Sequence, residues 1–130
     1  MGSTTFSGPV TSTGGFVGAV TGTVTGNLVI PTATVAAAGT TAADAGVLTT
    51  GFTLVSAADA TKGVVLPAAA AGKVVIIKNG AAAVLKIWPA TGDAINAIAV
   101  DSAFSVASLV SLMLVAYDAT TWYSVPLLPS

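Results

Sequence analysis

Nine side chains carry nearly all the ionisable chemistry in this sequence: Asp44, Asp59, Asp93, Asp101 and Asp118, with Lys62, Lys73, Lys78 and Lys86. Its 130 residues include no histidine, cysteine, glutamate or arginine. That excludes a zinc site of the usual ligands, a disulfide frame, a cysteine nucleophile and a histidine general base. Two carboxylates can hydrolyse a glycoside when they flank a sugar. Asp93 and Asp101 are the closest such pair along the chain, and nothing around them reads as a sugar cleft. Asp59, Asp93 and Asp118 each stand beside Gly, Ala or Thr in turn-like sequence, where a carboxylate accepts hydrogen bonds from the backbone. No Asp-rich loop of the EF-hand kind offers a calcium site. The expectation is a protein that is not an enzyme and holds no cofactor or metal.

The lysines and aromatics have plain uses beside sharper ones. Lys73 and Lys78 bracket one apolar run at an odd spacing, so on a strand they point to opposite faces, and Lys86 sits across Asn79-Gly80 from them. Lysines along a strand deter edge pairing; contact with an acidic partner is the alternative. Trp88 and the Trp122-Tyr123 pair could stack on a carbohydrate, although such residues more often fill a β core or the centre of an interface.

Charge is scarce. Charged residues are 7% of the chain, against about 25% in an average soluble domain. With no arginine and a net charge of −1, the chain has no cation cluster for nucleic-acid phosphates. No stretch gives the roughly 20 mainly apolar residues of a membrane helix. Hydrophobic residues reach 54%, which is not the composition of an intrinsically disordered chain. The first basic side chain is Lys62, so no basic n-region of a secretory signal is visible. A chain of 12.5 kDa folded as one compact body keeps roughly 6,000 Å² of accessible surface. So few charges cannot cover it, and large exposed apolar patches mark protein contacts. The composition therefore reads as that of a subunit in a permanent assembly. A monomer coated with Thr, Ser and Ala is the bland alternative.

Texture divides the chain into residues 1–46 and 47–130. The first 30 residues are uncharged and rich in Gly, Thr, Ser and Val. Within them Gly18-Ala19-Val20-Thr21, Gly22-Thr23-Val24-Thr25 and Gly26-Asn27-Leu28-Val29 repeat with a period of four. Glycine and β-branched residues disfavour a helix here. They suit an extended arm with Gly at its bends. Such an arm needs a neighbouring surface or sister chains, and Phe6, Phe16, Val20, Val24 and Leu28 are its candidate anchors for a partner. A loose Gly/Thr leader is the alternative. Residues 31–46 are Ala-rich and read as a connector, a loop or a short helix opened by Thr41 and ended by Gly46.

Residues 47–130 read as all-β. Strands are expected over Val47–Thr50, Phe52–Val55, Val64–Leu66, Lys73–Lys78, Val84–Trp88, Ser108–Tyr117 and Thr121–Val125. A buried helix is the alternative for the apolar run from Ala103 to Tyr117. Asn79-Gly80 is the strongest hairpin signal, with Val84–Trp88 as its return strand. Short strands with turn signals between them point to a small β-sandwich or barrel of the jelly-roll kind.

The order of motifs in this half resembles a trimer-forming β-domain found in structural proteins of tailed bacteriophages. The residues that carry the likeness are Val64-Val65-Leu66-Pro67-Ala68-Ala69, Gly72-Lys73-Val74-Val75-Ile76-Ile77-Lys78-Asn79, Leu85-Lys86-Ile87-Trp88-Pro89-Ala90-Thr91-Gly92-Asp93-Ala94-Ile95-Asn96 and Asp118-Ala119-Thr120-Thr121-Trp122-Tyr123-Ser124-Val125. They span roughly residues 50–126. The opening Ser3-Thr4-Thr5-Phe6-Ser7-Gly8-Pro9-Val10 is similar to the start of small virion proteins of the phage head. The resemblance implies a capsid decoration (cement) protein, made in the host cytoplasm, that sits as a homotrimer on the major capsid protein. A tail fibre or spike component is the runner-up, and a carbohydrate-binding module using Trp88 and Trp122 is a third reading.

The arm reading generates a test. Deleting residues 1–30 is expected to leave a folded β-domain with weakened occupancy on phage shells; unchanged occupancy counts against the arm as an anchor.

Overall fold

A computed structural model describes residues 7–8, 13, 29–49 and 51–126. Strands are the only regular elements among them: β1 (Thr32–Ala36), β2 (Gly46–Val47), β3 (Gly51–Ser56), β4 (Gly63–Val65), β5 (Val74–Asn79), β6 (Leu85–Trp88), β7 (Ala94–Ile95), β8 (Phe104–Val106), β9 (Ser111–Ala116) and β10 (Thr121–Val125). They form a six-stranded sheet in the order β1-β3-β5-β9-β10-β7 and a four-stranded sheet in the order β2-β4-β6-β8. Consecutive strands alternate between the sheets from β1 to β6. Each coil therefore contributes one strand to either sheet, and β1, β3 and β5 stack in parallel, as do β2, β4 and β6. The architecture is a β-solenoid of stacked coils.

This corrects the expectation of a sandwich or jelly-roll barrel. Alternating burial and regular turn signals are common to both architectures; what differs is where each turn sends the chain. The expected hairpin at Asn79-Gly80 shows the difference. β5 pairs with β3 and β9, whereas β6 pairs with β4 and β8. The turn thus arches from one sheet to the other without pairing the strands it joins. Asn79 is fully buried and braces the arch from inside. Its amide nitrogen donates to the carbonyls of Ala83 and Ala107 at 2.8 and 3.0 Å, and its side-chain oxygen accepts from the Ala81 N–H at 3.1 Å. Corners elsewhere bury small side chains: Ala37, Ala45, Ala58 and Ala69 all lie inside.

The coil also includes part of the chain expected to be a connector. Residues 31–46 form no helix. They carry β1, an arch and the start of β2. Val35 packs against the core, and Asp44 closes the arch by accepting from the Thr41 N–H and hydroxyl at 2.8 and 2.6 Å. Gly51 begins β3 at φ +108°, and a Cβ there would lie 2.4 Å from the Pro31 carbonyl oxygen, so the approach of the first two coils requires glycine.

Register aligns like residues in rows. Inside the six-stranded sheet run Thr53–Ile77–Leu112 and Val75–Leu114–Ser124; inside the other run Val64–Ile87–Phe104 and Leu85–Val106. These rows meet Leu48, Ile95 and Trp122 in a single core. Each large buried side chain contributes about 1.5–3 kcal/mol. At the C-terminal side the parallel stack ends. β8 lies antiparallel on β6, and the β9–β10 hairpin lies antiparallel on β5, turning at Asp118-Ala119-Thr120 as the sequence predicts.

Asn79 gives the fold its test. Asn79→Ala removes the side chain that reaches both carbonyls and the Ala81 N–H, and is expected to cost about 3 kcal/mol, read from urea denaturation. A loss within experimental error would show that the arch does not depend on this amide.

Candidate functional site

The sequence-derived anchors Phe6, Phe16, Val20, Val24 and Leu28 lie outside the described residues, so the fold neither gathers nor separates them. The charged side chains do have defined places. One oxygen of Asp59 accepts from the N–H groups of Thr61 and Lys62 at 3.0 and 2.9 Å and from the Thr61 hydroxyl at 2.7 Å. Asp118 repeats the device, accepting from the N–H groups of Thr120 and Thr121, both at 2.8 Å. Asp93 and Asp101 share one turn: Asp93 is buried and accepts from the Ala69 N–H at 2.8 Å, and Asp101 accepts from the Gly92 N–H at 2.7 Å. All five carboxylates thus tie loop backbone. No group of three or more potential metal ligands occurs among the described residues.

The lysines are similarly engaged. The Lys62 ammonium lies 3.1 Å from Asp59 in an exposed ion pair that salt would screen. Lys73 donates to the Ala68 carbonyl at 2.7 Å, Lys78 to the Leu109 carbonyl, and Lys86 to the Ser105 hydroxyl of the adjoining strand at 2.9 Å. No helix among the described residues is long and apolar enough to cross a membrane.

The tryptophans divide. Trp122 is fully buried and its ring offers no face to a sugar, which removes it from the carbohydrate-stacking reading. Its indole N–H, like that of Trp88, is buried without a hydrogen-bond partner. The cost, about 1–3 kcal/mol for such a group, is carried by the apolar contacts of the large ring. Trp88, on the outer face of β6, is half-buried.

What remains as a surface for function is the outer face of the six-stranded sheet. Register places Thr32, Phe52, Ile76, Met113 and Val125 in one line across five strands. A second line runs Val74–Val115–Tyr123. Leu54 flanks the first line from the next outward position on β3, beside Lys78 of β5. Phe52, Leu54, Val74, Tyr123 and Val125 are between 36% and 46% exposed, although sheet faces that meet water normally carry polar side chains. Tyr117, 73% exposed, meets Tyr123 edge to face with ring centroids 6.1 Å apart. The six strands contain no carboxylate, and Lys78 is their one charge. Sequence reasoning found β3, β5, β9 and β10 but neither β1 nor β7, and it did not assign the face. The alternate apolar residues Phe52, Leu54, Val74 and Ile76 were its signal, opposite in phase to the buried set.

Comparisons of this chain with models of protein families, with curated proteins and with solved structures found no match. The fold defines the class, a β-solenoid.

Three of the turn carboxylates, Asp44, Asp59 and Asp118, contribute to acid sensitivity. Backbone donation from Lys62, then the Thr61 hydroxyl and N–H, hold Asp59 far below the usual carboxylate range. The Thr41 hydroxyl and then its N–H lower Asp44, and the Thr120 N–H foremost lowers Asp118. Each group binds its proton more weakly folded than unfolded. The unfolded chain therefore takes up protons first as pH falls. The stabilisation is present above the ordinary aspartate value, about 3.9, and is lost as pH drops below it. Melting temperature is expected to hold between pH 5 and 8 and to fall from pH 4 to 2. The Asp59→Asn/Asp118→Asn variant should fall less steeply; an unchanged slope would assign the acid sensitivity elsewhere.

Proposed function

We propose that this chain is a structural subunit of a tailed-phage particle, a decoration protein that sits as a homotrimer on the outer surface of the head and clamps neighbouring capsomers of the major capsid protein. The observation that carries the reading is the exposed apolar face of the six-stranded sheet, on a molecule whose carboxylates all tie its own loops. Such a face suits a permanent contact. The order of motifs over residues 50–126, which resembles phage structural domains, supplies the setting.

The mechanism is mechanical. A shell under internal pressure fails where capsomers part, and a subunit touching two of them must be displaced first. Apolar contact contributes roughly 25 cal/mol per Å² removed from water, less a large cost of association. Joining three such contacts in one trimer raises their effective concentration, so the clamp holds although each contact alone is weak.

One feature favours a second reading, a tail fibre or spike component. Parallel coils stack along an axis, and a solenoid lengthens by adding coils. No strand among the described residues pairs with the outer side of β1 or β2, and coils added there would lengthen the stack into a shaft.

Labelled antibody against the chain, viewed on intact particles by electron microscopy, separates the two. Label over the head surface is expected; label confined to the tail selects the fibre, and label on neither removes both. Added protein is also expected to raise the temperature at which undecorated expanded heads release their DNA.

A further inference from the structure

We infer that the outer face of the six-stranded sheet is the surface through which copies of this chain pack against one another. The inference rests on the multi-copy assembly proposed above and names the contact that would hold it together.

Size and chemistry both point to a copy of the same chain. Phe52, Ile76, Met113, Val115, Tyr123 and Val125 lie as registered neighbours on four adjacent strands. With β1, five strands about 4.8 Å apart and five residues rising about 3.3 Å each give a footprint of about 400 Å². A standard interface takes about 800 Å² per partner and consists of an apolar centre within a polar rim. The face matches such a centre, and the β1 threonines and Lys78 lie where a rim would fall.

Charge argues against other occupants. A nucleic acid or an acidic peptide requires clustered cations, and this face has one ammonium, already donated to the Leu109 carbonyl. A basic partner requires carboxylates, and the six strands contain none. Three copies of the face turned toward a common threefold axis bring apolar side chains together while the lysines stay at the margin in water. Tyr117 and Tyr123 add ring surface with hydroxyls that can remain wet, the type of residue on which interface energy concentrates.

The test is the mass of the full chain by sedimentation velocity. Wild type is expected at three chains, and Phe52→Lys/Tyr123→Lys at one, with self-association at least about thirtyfold weaker, the loss of one hot-spot contact. Circular dichroism checks that the variant folds. Val74→Lys, on the same face, serves if the double variant does not, and Val100→Lys, in the exposed turn between β7 and β8 and outside the rows of the face, should keep the wild-type mass. Variants that retain that mass overturn the inference. So does a wild type that is a single chain, or one that associates only once residues 1–28 are removed, since the face would then be covered by the chain's own N-terminal segment. Binding to expanded heads is scored separately. A single-chain wild type that binds heads defeats this inference and leaves the decoration reading standing. A trimer dispersed by the lysines that binds no particle does the reverse.

Discussion

In-register parallel pairing between successive coils is the constraint from which the other features follow. Val35 lies beside Val55, Gly51 beside Val75, and Val64 beside Ile87. Because side chains alternate across a strand, that register fixes both faces of each sheet together. A slip of one residue would turn Val75 and Ile77 out to water and Ile76 and Lys78 into the core. The interior rows and the outer apolar rows are consequences of a single alignment. Glycine at position 51 permits it by letting the second coil begin against Pro31, and Asn79 holds it at the third arch.

Much of the strand content was legible. Phe52–Val55, Val64–Leu66, Lys73–Lys78, Val84–Trp88 and Thr121–Val125 each lie within a residue or so of an observed strand, because β-branched runs bounded by turn residues give a local signal. The connections were not legible. Asn79-Gly80 turns a chain sharply whether the next strand folds back on the last or crosses to the opposite sheet. The choice is made by partners distant in sequence, among them the Ala107 carbonyl that the Asn79 amide reaches. β1 was hidden for another reason. Thr32–Ala36 is short, its surroundings are Ala-rich, and alanine carries little β signal; pairing with β3 makes it a strand.

The chemistry was read more fully than the surface. Asp59 and Asp118 accept from turn backbone as their Asp-Ala-Thr sequence suggests, and Trp122 fills the core. The outward phase of β3 and β5 escaped notice because every position in those runs is apolar, or nearly so, and periodicity cannot select a face where both are greasy. That doubled hydrophobicity leaves large apolar side chains half exposed on the outer face. It is the shared ground of the decoration reading and of the packing surface assigned to it.

The two ends of the coil stack are unequal. Among the described residues, the six-stranded sheet ends on one side in the two-residue β7 and on the other in the five-residue β1, which carries no lysine. Polarity of this sort gives the column one long rim and one short one. Any extended segment that joins the sheet, from this chain or another, has a ladder of five residues to gain beside β1 and of two beside β7, so growth by strand addition has a preferred direction.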